Sequence, residues 1–273
     1  MKRAIRQSCF LSIFASVVIL GACQTAPKPD WELPSGVKSL SANGYPISYF
    51  ERGSGPTVVL VHGSLNDYRY WTPQIESLSS RFRIVSISLR HYYPELWKGQ
   101  GEFSLKLHAE DLTAFIERLA VGPVFVVGWS RGGTVAVDVA RSRPDLIRKL
   151  VLMDPALEAL LPVPDGAPIE DTRVVRARAT EVYLKKGEID AGLQYFFDSS
   201  NGAGAWNRLP EEQRRNRRDN AWTIIGQLGD VETVTCADLA QFKMPVLLMG
   251  GEQSPARHNR IRAAIQKCLP SAS

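Results

Sequence analysis

Short apolar runs alternate with stretches of helical periodicity along most of this chain, and that alternation limits the folds open to it. Val58 to Val61, Arg83 to Ile87, Val124 to Val127, Lys149 to Met153 and Val246 to Met249 read as strands. Between them, Trp71 to Leu78, Leu105 to Leu119 and Thr134 to Arg141 read as helices, and Ala256 to Leu269 reads as one more after the last strand. In the longest of these, Leu105, Leu112, Phe115, Ile116 and Leu119 fall on one stripe. Strands that are apolar throughout and separated by helices predict a mostly parallel sheet covered by helices on both faces, an α/β architecture. Ahead of it, Val37 to Leu40 and Ile47 to Glu51 flank Asn43-Gly44, the signature of a hairpin.

One junction in this pattern carries chemistry. Pro123-Val124-Phe125-Val126-Val127 runs into Gly128-Trp129-Ser130-Arg131-Gly132-Gly133, after which the helical pattern begins. A serine in G-x-S-x-G between a buried strand and a helix is the setting of a nucleophile elbow. The turn is tight enough to require glycine on either side. It lifts the serine oxygen above the sheet and aims the first N–H groups of the helix at a reacting carbonyl. The plainer alternative is a strand–helix turn with incidental glycines. The motif alone would not decide between them, but its setting favours the elbow.

The first 22 residues read as a leader. Lys2, Arg3 and Arg6 precede the apolar stretch Phe10 to Leu20, and Leu20-Gly21-Ala22 supplies small residues before Cys23. This resembles a bacterial lipoprotein signal peptide, which implies lipidation of Cys23. Gln24 after the cysteine resembles the pattern of lipoproteins sent to the outer membrane. An ordinary secretory signal, with no role for Cys23, is the alternative. The implied location is the cell envelope, the chain lipid-anchored to a bacterial membrane on its periplasmic face. Residues 23–36 are rich in proline and read as a tether. Removing residues 1–22 takes three cations and no acid from a net charge of +5, leaving 251 residues at +2. That balance gives no support to a nucleic-acid partner. Cys236 and Cys268 could form a disulfide or stay as buried thiols. No cysteine or histidine spacing suggests a metal, and no motif suggests a cofactor.

Residues 155–243 interrupt the alternation with a more polar, mostly helical stretch that reads as a lid over the strand ends. Residues 37–154 and 244–273 then form the core. Within the lid, Arg214-Arg215-Asn216-Arg217-Arg218 reads as a solvated helix face beside Glu211 and Glu212, with anion binding as the alternative. Tyr195, Phe196, Phe197, Trp206 and Trp222 read as the lid's own packing rather than a ligand cage.

From about residue 37 the chain resembles the α/β-hydrolase superfamily. His62-Gly63-Ser64 follows the Val58 strand, Gly128 to Gly133 forms the elbow, and Lys149 to Pro155 leads into the lid. Gly63 to Arg69 and Ser88 to Glu95 are similar to a bacterial subgroup of α/β-fold hydrolases. The resemblance implies a serine hydrolase acting on a small ester or related acyl substrate through an acyl-enzyme. Ser130 would be the nucleophile, and the N–H groups of Ser64 (or its neighbour Leu65) and Arg131 the oxyanion hole. His62 would brace the loop. Ser254 stands at the family's usual acid position, so the acid falls to Asp154, with Glu252 as the alternative.

The family's histidine follows one further strand, and this sequence closes at Leu269-Pro270-Ser271-Ala272-Ser273 before such a strand. The chain therefore reads as C-terminally truncated, its last strand and helix missing. The expected consequences are an apolar edge at Val246 to Met249 and an incomplete triad. His108 and His258 read as surface residues, and His91 lies past a strand's C-terminal end on the functional side of the sheet. A non-catalytic relative, a binding scaffold or gene remnant, is the alternative function.

Overall fold

The computed structural model describes residues 28–162 and 172–273. The leader, Cys23 and the start of the tether lie outside the described residues. Strands β1 (Val37–Ala42) and β2 (Tyr45–Arg52) form the hairpin, paired antiparallel. Both turn residues, Asn43 and Gly44, adopt positive φ, which matches the twist of the strands they join. Strands β3 (Thr57–Val61), β4 (Arg83–Ile87), β5 (Val124–Trp129), β6 (Ile147–Met153) and β7 (Val246–Met249) complete a seven-stranded sheet in the order β1-β2-β4-β3-β5-β6-β7. From β4 to β7 every pairing is parallel.

Helix α1 (Thr72–Leu78) follows a 3₁₀ turn whose cap, Asp67, accepts from Arg69 N. Helix α2 (Leu105–Leu119) starts at Ser104, whose hydroxyl accepts from Leu107 N, an ordinary N-cap. Helix α3 (Arg131–Ser142) follows Ser130 directly. Between β6 and β7 lie α4 (Thr172–Lys185), α5 (Ile189–Asn201), α6 (Glu211–Asp219), α7 (Thr223–Gly226) and α8 (Cys236–Ala240). Helix α9 (Ala256–Cys268) follows β7, and a disulfide joins Cys236 to Cys268.

The two sheet faces are covered unequally. On one side, Val124, Val126, Leu150, Leu152 and Val246 pack with Phe115 of α2, Val135 and Val139 of α3, and Ile261 and Ile265 of α9. On the other, Trp71 and Ile75 cover Val58, Leu60 and Ile84. Beyond β3 that cover thins. Phe125, Val127, Trp129 and Met153 are half-buried, while Leu247 and Met249 are each 43% exposed. Among the described residues helices thus flank the sheet on both faces, as expected, with the second cover reaching over β3 and β4 and thinning toward β7. An apolar strand records which side chains favour burial; it does not say that a covering element is present. At the outer edge of β7, Ser273 N donates to Val246 O (3.1 Å) and Leu248 N donates to Ser273 O (2.8 Å), one step of a parallel ladder.

The helices between β6 and β7 have a small core of their own. Ala177, Leu184, Leu193, Trp206, Ala221 and Ile224 cluster with Phe196, Phe197 and Trp222 around them. Leu65, from the loop after β3, inserts into this cluster. Val234, Leu239 and Phe242 pack in the main core instead.

Candidate active site

Ser130 sits between β5 and α3 with φ 50° and ψ −122°, a backbone conformation that a side chain strains. Its N–H donates to Met153 O (3.0 Å), and its carbonyl accepts from Gly133 N (2.8 Å) and Ala156 N (3.1 Å). Neighbouring strand, helix and post-β6 loop thus hold the turn. A Cβ at Gly132 would lie 2.4 Å from the carbonyl oxygens of Val61 and His62, so only glycine lets α3 begin this close to β3. A Cβ at Gly63 would lie 2.9 Å from Ser130 Cβ and 2.7 Å from the Trp129 ring. The loop after β3 therefore passes directly against the serine. Ser130 Oγ makes no hydrogen bond among the described residues.

That loop is fixed from several sides. Leu65 has φ 61°, Asn66 N donates to Gly63 O (3.3 Å), and Asn66 Nδ2 donates to Ser64 O (2.7 Å). The Ser64 hydroxyl donates to Gln227 Oε1 of the lid (2.8 Å). His62 is fully buried; its Nε2 accepts from Leu89 N (3.0 Å), so Nδ1 carries the hydrogen given to Gly63 O (2.8 Å). Burial pushes the imidazole down to about 4 and keeps it neutral. Both nitrogens are spent in tying the loop to the end of β4.

Arg131 begins α3, and its guanidinium is buried under the lid. Nη1 donates to Asp230, Nη2 donates to His108 Nδ1 (3.0 Å), and the group lies 5.0 Å over Phe103. His108 is fully buried, against the expectation of a surface residue; its Nε2–H donates to Arg90 O (3.2 Å). Burial, then the Arg131 charge, lowers its pKa well below the usual imidazole range. His258 is also buried, again against expectation, and its Nδ1 has no partner. Spacing carried the signal in both cases: His108 lies three residues after Leu105 and four before Leu112, and His258 three before Ile261. Each falls on its helix's inward stripe. His91, at φ 71°, faces Glu95 Oε1 with Nδ1 (3.0 Å) and donates from Nε2 to Glu102 O (3.1 Å).

Asp154 follows β6 with φ 39°, its N–H donating to Met249 O (3.0 Å). Its carboxylate accepts from Ser254 Oγ (2.5 Å) and from Arg262 Nη1. The residue at the expected acid position thus serves the carboxylate next door. Glu252 is exposed and makes no hydrogen bond or ion pair among the described residues. Two neighbours escaped the sequence reading. Arg262 reaches Asp154 from α9 across 108 positions, a contact that no local pattern announces. Tyr70 stacks on Trp129 with centroids 4.3 Å apart and planes at 8°. Burial raises the Tyr70 phenol to about 12. Among the described residues, no group of three or more His, Cys, Asp or Glu is placed to hold a metal ion.

A mostly parallel sheet in this strand order, with a strained serine between β5 and α3, defines a class. The chain belongs to the alpha/beta hydrolase family, whose model matches residues 58–270. It is 34% identical over 108 residues to the esterase Rv0045c of Mycobacterium tuberculosis, covering 40% of this chain and 36% of that protein. It is 30% identical over 127 residues to the soluble epoxide hydrolase of a Corynebacterium, covering 46% of this chain and 44% of that one. The chain thus matches less than half the length of either curated relative. Among solved structures it is similar to an alpha/beta hydrolase from Sphaerobacter thermophilus, with a TM-score of 0.69 at 24% identity, covering 86% of this chain and 90% of that one.

Proposed function

We propose that the chain is a serine hydrolase acting on a small ester or related acyl substrate through an acyl-enzyme. Ser130 Oγ attacks the carbonyl carbon as its proton passes to a solvent water, and the carbonyl π pair moves onto the oxygen, held by the N–H groups of Ser64 and Arg131. Collapse breaks the ester C–O bond and the alcohol leaves with a proton from solvent; water then attacks the acyl-enzyme, and its proton returns to Ser130 Oγ as the acid is released. Asp154 is the acid of the site. The observation that carries this reading is the strained Ser130, its Oγ without a partner, packed against the loop at residue 63. Epoxide opening by alkyl transfer needs a carboxylate nucleophile, and a serine stands in that position.

A second reading, a non-catalytic relative, has its own observation. His62, His91 and His108 have both ring nitrogens engaged, His258 Nε2 accepts from Arg257 Nε (3.4 Å), and both Asp154 oxygens are held by Ser254 and Arg262. A serine without its base retains only ~10³–10⁴-fold acceleration over water. Hydrolysis of p-nitrophenyl acetate separates the two readings. A slow turnover with an initial burst, absent from Ser130→Ala, supports the hydrolase; rates equal to Ser130→Ala support the scaffold.

We also infer that Cys23 is lipidated and anchors the chain in the cell envelope. The Cys236–Cys268 disulfide supports an oxidising compartment. Incorporation of labelled palmitate that is lost in Cys23→Ser is the expected result; equal incorporation in both would exclude lipidation at that residue.

A further inference from the structure

The arginine-rich helix α6 holds one cation unlike its neighbours. Arg214 pairs with Glu211 (2.9 Å), Arg218 with Asp190 (2.6 Å) and Glu211 (2.5 Å), and Arg215 is exposed. Arg217 is only 6% exposed and forms no ion pair among the described residues. Its Nη1 donates to Gln213 O (2.8 Å), its guanidinium lies 5.2 Å from the Phe197 ring centroid, and its buried Nε has no partner. The expectation of a wholly solvated face fails at this residue. A buried guanidinium holding only one carbonyl is costly to keep unless something else compensates it.

Its surroundings identify what is missing. Asp67 is close enough for its charge to act on Arg217, but that carboxylate is already saturated by the Arg69 backbone N–H and guanidinium and by Asn220 Nδ2. Asn220, which caps the helix three positions on, donates from Nδ2 to Asp67 Oδ2 (2.7 Å), and the Phe197 ring beside the guanidinium packs in the same cluster as Leu65. The helix that carries Arg217 is therefore joined to the loop that runs past the nucleophile. Burial draws it down to about 10, which leaves it charged at neutral pH. The end of its helix is pinned: Asn220 Oδ1 accepts from Tyr93 N (2.8 Å), and Asp219 pairs with Arg69 (2.9 Å).

We propose that Arg217 is the anchor for an anionic group of the substrate, so that the site takes acyl compounds carrying a carboxylate away from the bond attacked. The inference rests on the serine-hydrolase reading only for where the reacting carbonyl sits. A planar guanidinium with open N–H donors matches a carboxylate in shape and charge, and it reads the anion directly rather than by diffuse attraction.

Binding, not turnover, tests it. Monomethyl succinate and its neutral analogue methyl pentanoate are titrated by calorimetry into full-length Ser130→Ala, which cannot consume them, and into Ser130→Ala/Arg217→Met. The expected result is about tenfold or tighter binding of the monoester in the first protein, and loss of that preference in the second with methyl pentanoate unchanged. Melting curves confirm folding, and Arg217→Gln replaces Arg217→Met if the latter does not fold. Equal affinity for the two esters in Ser130→Ala, or a preference that survives removal of Arg217, would overturn the proposal. Neither result depends on Ser130 being reactive, so failure here is distinct from failure of the hydrolase reading.

Discussion

At Ser130 the backbone adopts a conformation that glycine tolerates and other residues resist. Ser130→Gly is therefore expected to raise stability by about 1 kcal/mol in urea denaturation, whereas Ser130→Ala stays close to the parent. Equal stabilities for the glycine and alanine variants would mean that the turn is not strained. Gly63→Ala is expected to cost about 1–3 kcal/mol, because its Cβ would press on the Trp129 ring and on Ser130. Loss of activity should accompany that cost. The elbow was legible at this scale because G-x-S-x-G names the geometry outright. Buried His108 and His258 were legible only through spacing, and residue type argued the other way. Arg262 on Asp154 was not legible, since it depends on how α9 lies across the end of β7.

Among elements, the join between the lid and α3 stands out. Asp230 and Arg131 form an ion pair with side chains 0% and 2% exposed, and Asp230 also accepts from Leu105 N (3.1 Å). Asp230→Asn would leave a buried guanidinium without its charge partner, at an expected cost of about 3–5 kcal/mol. A loss under 1 kcal/mol in the same denaturation assay would show that the pair does not hold the lid down. The disulfide ties α8 to α9 across 32 positions. Replacing both cysteines by serine should cost about 4 kcal/mol by loop entropy, read as a lower midpoint in non-reducing urea. Strand and helix positions followed from periodicity, since each apolar run is bounded by turn residues. The path of the lid did not: its contacts, such as Ser64 with Gln227, link residues far apart in sequence.

Across the whole molecule, two features set behaviour in solution. The imidazoles of His62 and His108 are neutral and buried, with pKa values below the unfolded value of about 6.5. Unfolding lets them take up protons, so stability is full above pH 6.5 and declines as pH falls toward 4. His62 alone accounts for about 3 kcal/mol of that decline. Flat stability between pH 6.5 and 4 would contradict the buried neutral tautomers. The thinly covered face of β5 to β7, with Leu247 and Met249 outermost, is the second feature. Leu247→Lys with Met249→Gln should reduce self-association in sedimentation velocity at little cost in stability. Exposure at Val246 to Met249 was expected from the sequence, but how far it runs back toward β5 was not legible, because those strands are as apolar as the covered ones.

The central claim is that residue 130 presents a reactive oxygen to an acyl group. Prolonged incubation of the folded chain with a fluorophosphonate, followed by peptide mass mapping, tests it most directly. One adduct per chain on the Ser130 peptide, missing from Ser130→Ala, is the outcome expected. A folded chain that stays unmodified, or that is modified equally in the alanine variant, would contradict it.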